Sequence, residues 1–180
     1  KALVDFFQIT GQYSSRSSLV DWTEVGTGVD DEGELTTVEL QSDTLDNLFE
    51  DQPVDFIKCD CEGADLLVIE GARKIITKYQ PLISIEFNEE SVKSSGKNRQ
   101  DFIDLTESLN YHMFSNYGAL LDSENAAVYS SKFSDFFLVP QKMLSKFSDT
   151  VAPLLVAKSE GFTRELGKGL VREGYGYQKE

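Results

Sequence analysis

The 180-residue chain is poor in the residues that build chemical sites by themselves, with two Cys, one His, two Met and one Trp. A single His and one Cys pair are too few ligands for a self-contained zinc centre, so no metal is expected. Cys59 and Cys61 stand one residue apart in an apolar run that reads as a strand. That spacing projects both to one face and makes a poor disulfide, so nothing marks a secreted, oxidised protein and a cytoplasmic setting is the expectation. Basic residues are scarce too: 17 Lys and Arg oppose 31 Asp and Glu, a net charge of −14. Such an excess repels phosphate backbones, so no nucleic-acid partner is expected. No run of about 18 apolar residues occurs, which excludes a membrane-spanning helix. The chain also lacks a G-x-S-x-G nucleophile elbow and any internal repeat.

What is present is ample core material, 40% hydrophobic residues with 12 Phe and 7 Tyr, in a length that suits one domain. Leu3 to Ile9 and Leu35 to Leu40 read as strands, paired as a hairpin across a long polar and acidic connection that includes Gly11 to Ser18 and Val25 to Gly33. Thr44 suits the N-cap of a short helix over Leu45 to Phe49, which Pro53 ends. Val54 to Cys59 then reads as a buried strand, Ala64 to Tyr79 as one amphipathic helix, and Leu82 to Phe87 as a second strand. This order predicts a right-handed βαβ unit with parallel strands. Glu89 to Lys97 is a polar stretch, Arg99 to Leu109 a second amphipathic helix, and Tyr111 to Phe114 and Phe136 to Val139 are further strands. Tyr117 to Ser131 between them reads as a hairpin or meander, and Met143 to Phe147 as a helical turn. Beyond residue 148 the glycine-rich sequence predicts a poorly packed tail, 149–180.

In an open α/β sheet, ligands bind at the carboxyl ends of the parallel strands. One such end is Lys58-Cys59-Asp60-Cys61-Glu62-Gly63-Ala64-Asp65, the other Ile85-Glu86-Phe87-Asn88. Strands ending at one edge would bring Asp60 and Glu62 to face Glu86 and Asn88. Carboxylates that close raise one another's proton affinity, so one can serve as a general base, or the set can hold a cation. The residues alone favour a plainer account, with Asp60 as a helix cap, Glu62 as a dipole partner and Gly63 as a turn.

Several blocks in order resemble a known family. Thr44-Leu45-Asp46-Asn47-Leu48, Asp55-Phe56-Ile57-Lys58-Cys59-Asp60-Cys61-Glu62-Gly63-Ala64-Asp65, Glu70-Gly71-Ala72 and Pro81-Leu82-Ile83-Ser84-Ile85-Glu86-Phe87-Asn88 are similar to the signature of FkbM-type S-adenosylmethionine-dependent methyltransferases. Asp65 stands where that family usually has Glu. The resemblance implies an α/β fold with a Rossmann-like methyltransferase sheet and S-adenosyl-L-methionine as cofactor. The methyl acceptor it implies is an oxygen of a sugar, another small molecule or a glycan. Asp60, at its strand end, would lie near the cofactor's methyl end and act catalytically, with Glu62 second at the mouth of the pocket. Glu86, Asn88 and His112 are the substrate-binding candidates; His112, the one histidine, is otherwise a packing residue. Ser17 and Ser18, the cofactor-binding candidates beside Asp60, belong to Tyr13-Ser14-Ser15-Arg16-Ser17-Ser18-Leu19, which resembles a serine-rich segment of the family and would line the cofactor or substrate pocket, or otherwise form a solvated loop.

The family's first strand, its glycine-rich loop and the ribose-binding acid have no counterpart here. Gly26-Thr27-Gly28 leads into Val29-Asp30-Asp31-Glu32 with no helix to follow, so it reads as an acidic loop. With Lys1 in place of Met, these features predict the carboxyl-terminal portion of a longer methyltransferase, its sheet incomplete at the amino-terminal side, with residues 1–148 supplying the later strands and helices. The competing reading is a non-catalytic α/β binding module.

Overall fold

The computed structural model describes residues 1–10, 17–19, 35–93, 95–130 and 134–156. The expected loops over Tyr13 to Arg16 and around Gly26-Thr27-Gly28, and the stretch 157–180, lie outside the described residues.

Strands β1 (Ala2–Ile9) and β2 (Leu35–Ser42) form the expected antiparallel pair, registered from Ala2 opposite Ser42 to Ile9 opposite Leu35. Helix α1 (Leu45–Phe49) follows, its Thr44 Oγ1 accepting the Asn47 N–H at 3.2 Å. The second sheet holds β3 (Phe56–Cys59), β4 (Leu82–Glu86), β5 (Tyr111–Ser115), β6 (Leu120–Leu121) and β7 (Asp135–Pro140), in the spatial order β3-β4-β7-β5-β6. β3 and β4 are parallel, as the βαβ pattern requires; β7 inserts between β4 and β5 and runs antiparallel to both.

Strand alternation divides the core between two faces. Ile57, Cys59, Ile83, Ile85, Phe136 and Leu138 point to one face, where Leu66, Ile69, Ile76, Phe102 and Ile103 of the helices cover them. Phe87 and Phe102 stack there with centroids 4.9 Å apart, and Phe136 meets Phe102 edge to face. The other face carries Leu82, Phe114, Phe137 and Val139, which Phe147 of the helical turns Leu144–Lys146 and Phe147–Val151, and Ala152 just after them, cover. Packed chain thus continues past residue 149, with Ala152 buried.

Three expectations need correction. The helix over Ala64 to Tyr79 is two helices, α2 (Asp65–Glu70) and α3 (Arg73–Tyr79). Periodicity runs through the break, but Asp46 interrupts it. Its N–H takes the Gly71 carbonyl at 3.0 Å. Its carboxylate accepts the N–H groups of Lys74 and Ile75 at 3.1 and 2.9 Å, capping α3 from another segment. The polar stretch after Asn88 contains a helix, α4 (Glu89–Lys93), ahead of α5 (Arg99–Ser108), which an Asn98/Asp101 capping box starts. Tyr117 to Ser131 is only partly a hairpin. β5 and β6 are joined by a tight turn in which Ser115 Oγ accepts the N–H groups of Tyr117 and Ala119. Asp122 then caps helix α6 (Ser123–Ser130) by accepting the Asn125 N–H at 2.7 Å.

Candidate functional site

The last registered pair of β3 and β4 is Cys59 opposite Ile85. One residue further on, Asp60, just past β3, and Glu86, the last residue of β4, stand side by side on the face opposite the main core. Past Asp60 the chain turns sharply: Glu62 and Gly63 both have positive φ, 48° and 99°. The turn is held from below by Asp65, 2% exposed, whose two carboxylate oxygens accept the N–H groups of Cys61 at 3.1 Å and Gly63 at 3.2 Å. Burial raises the proton affinity of Asp65 although these bonds oppose it. The turn brings Glu62 back over the strand ends, so that Asp60, Glu62 and Glu86 each place an oxygen within 4.8 Å of the others.

The three carboxylates are not equivalent. Lys58, two residues before Asp60 and therefore on the same face, donates to Asp60 Oδ2 at 2.5 Å. That bond holds the Asp60 carboxyl below its ordinary range, and raises Lys58 in turn. Glu86 is half-buried and moves the other way. Burial first, then its hydrogen bond with the Asp60 carboxylate, push it up to about 7, against a bond from Ser134. Asp135 stands opposite Glu86 across the β4–β7 ladder and adds to the negative field on Lys58. The arrangement offers an ionised carboxylate beside one that exchanges its proton near neutrality, at a solvent-facing strand edge.

The sequence-derived candidates separate in space. Asp60, Glu62 and Glu86 come together. Asn88 lies just beyond Glu86, but its exposed side chain caps α4: its Oδ1 accepts the Ser91 N–H at 3.4 Å. His112 is not brought to the site. It pairs with Val139, and the neighbouring Leu138 pairs with Ile83, so His112 stands level with Leu82 at the start of β4, about 13 Å along the strand direction from the level of Glu86. Its ring bonds Gln141 Oε1 at 2.7 Å. Ser17 and Ser18 belong to the β1 hairpin: Ser17 Oγ accepts the Ile9 N–H at 2.9 Å, and Ser18 forms a bridge with Phe7.

Lys58, Asp65 and Ser134 are site residues that motif reading passed over. Lys58 was legible from strand alternation, which sets it beside Asp60. Asp65 stands in the sequence only as a replacement for the family's usual Glu, and its burial under the turn has no local sequence signal.

A mixed α/β sheet with carboxylates gathered where two adjacent parallel strands end defines an enzyme-like α/β domain. The family profile described as Methyltransferase FkbM domain matches residues 6–115, more than half of the chain, and the chain belongs to that methyltransferase family. Comparison with curated proteins and with solved structures found no match. Among the described residues no helix is long and apolar enough to cross a membrane.

Proposed function

We propose that this domain takes part in S-adenosylmethionine-dependent transfer of a methyl group to an oxygen of a sugar, another small molecule or a glycan, with the chemistry at Asp60, Glu62 and Glu86. The observation that carries this reading is the convergence of those carboxylates, with Glu86 pushed up to about 7 beside an ionised Asp60. The donor set fits the two cationic groups at the cofactor's methionine end, the ammonium and the sulfonium, while the α-carboxylate of that end needs a donor other than these acids. Asp60 and Glu62 would hold that end. When bound, S-adenosylmethionine supplies an electrophilic methyl group.

The chain's own residues do the rest. A hydroxyl is a weak nucleophile until its proton leaves, and Glu86 is the carboxylate whose proton affinity matches that task near neutral pH. Asp60 stays ionised through Lys58, accepts a hydrogen bond from Glu86 when Glu86 is protonated, and so keeps it oriented. The catalytic weight thus moves from Asp60 toward Glu86, with Asp60 as its charged neighbour. The sheet is read as the later part of a Rossmann-like sheet. β3, which carries Asp60, is an edge strand with Phe56 52% exposed, a surface that further strands of a longer protein would cover.

The test is calorimetric titration of S-adenosylhomocysteine into this chain and into its full-length reading frame. It is followed by transfer of labelled methyl from S-adenosylmethionine to a panel of sugar and glycan acceptors. Binding and transfer by the full-length protein are expected. Failure of both to bind would leave the non-catalytic binding module in place of the enzyme.

A further inference from the structure

The segment Cys59-Asp60-Cys61-Glu62 presents its odd and even residues to opposite sides. Asp60 and Glu62 face Glu86 on the solvent side; Cys59 and Cys61 face Asp65 on the core side. The two thiols are free, and their sulfurs lie 3.9 Å apart. One oxygen of Asp65 lies within 4.8 Å of both. Two thiolates on a tetrahedral ion at about 2.3 Å each stand about 3.8 Å apart, so the sulfurs already hold the spacing that such an ion imposes.

We propose that Cys59, Cys61 and Asp65 form a binding site for a thiophilic divalent cation, of the zinc and cadmium class, on the core side of the loop whose other side carries the carboxylates. Two thiolates and a carboxylate supply three ligands, and water completes a tetrahedron. The coordination is balanced by charge: each thiol gives up its proton to solvent as its sulfur bonds the ion, so no oxidant or reductant is involved. Cys61 is the point of entry, being half-buried while Cys59 is 2% exposed. Asp65 can ligate without releasing the turn, because each carboxylate oxygen has a second lone pair beyond the one that accepts an N–H. Two cysteines and one histidine are too few ligands along the chain, but the fold delivers a third in Asp65.

The experiment is titration of the full chain with cadmium chloride in a thiol-free buffer, followed through the ultraviolet thiolate-to-metal charge-transfer band. Expected is a band that saturates at one ion per chain, with a rise in Tm on saturation, both lost in Cys61→Ser and in Cys59→Ser. Cys61→Ser carries the test by itself if the buried Cys59→Ser fails to fold. No band in the parent chain overturns the proposal. So does saturation at one ion per two chains, which would mean bridging through Cys61 alone, or a band that persists in folded Cys59→Ser.

Discussion

Glu86 and Asp60 stand at the same level at the ends of neighbouring parallel strands, with carboxylate oxygens within 4.8 Å of each other, yet their proton affinities are driven apart. Lys58 keeps Asp60 ionised, while burial and the Asp60 charge keep a proton on Glu86 up to about pH 7. Two carboxyls with different environments divide the roles of charge and of proton exchange.

The division is testable in the complete protein. Glu86→Gln keeps the shape and the hydrogen bond but cannot take a proton. Its turnover is expected to fall by about 10²–10⁴-fold, with S-adenosylhomocysteine affinity nearly unchanged. Asp60→Asn removes the charge that helps raise Glu86, so the acidic limb of the pH–rate profile is expected to move to lower pH. A limb that stays in place would show that Asp60 does not act on Glu86.

Stability should carry the same signature. Glu86 has an ordinary value of 4.5 and about 7 in the fold, so between those values the native state holds the extra proton. Stability therefore falls as pH rises through that window, and the cost of ionising Glu86 is complete above it. Asp60, lowered from 3.8, acts in the opposite sense: its contribution is present above that value and is lost as pH falls below it. Glu86→Gln is expected to flatten the decline of Tm between about pH 4.5 and 7 relative to the parent chain. Parallel Tm curves for the two proteins would reject the buried-proton account.

Much of this arrangement was legible because the signals were local. Alternation at Ile57, Cys59, Ile83 and Ile85 and the polar strand ends gave the parallel pair and the meeting of Asp60, Glu62 and Glu86. His112 stands away from that cluster, and a residue's identity says nothing about its height in the sheet, which here follows from β7 inserting between β4 and β5. The break at Gly71 escaped periodicity for a related reason. Its cause is a carboxylate 25 residues earlier in the chain, which caps α3 only once the fold has formed.

That capping carboxylate makes Asp46 a stability residue. It takes two of the orphan N–H groups of α3 while its own N–H satisfies the Gly71 carbonyl. Asp46→Ala is expected to cost about 1 kcal/mol in urea denaturation with an unchanged m-value. Amide exchange should accelerate first at Lys74 and Ile75. Asp46→Asn, which can accept only one of the two bonds, should fall between Ala and the parent chain. Equal stability of all three would mean that α3 ends are satisfied by water.

Gly118 ties the terminal helical turns to the β5–β6 hairpin. It has φ of 85°, and a Cβ there would stand 2.4 Å from the Ala152 carbonyl oxygen. Two costs are separable. Asn tolerates left-handed φ better than Ala, so if conformation alone mattered, Gly118→Asn would be the milder change. Both side chains begin with a Cβ, however, and the obstructing atom belongs to backbone, which cannot rotate away. Both variants are therefore expected to lose about 1–3 kcal/mol. Both should also expose the segment after Leu144 to limited proteolysis, since relief requires Ala152 to withdraw and uncover Phe147. A tolerated Gly118→Asn with an undisturbed proteolytic pattern would reduce Gly118 to a turn residue and leave the terminal segment packed without it.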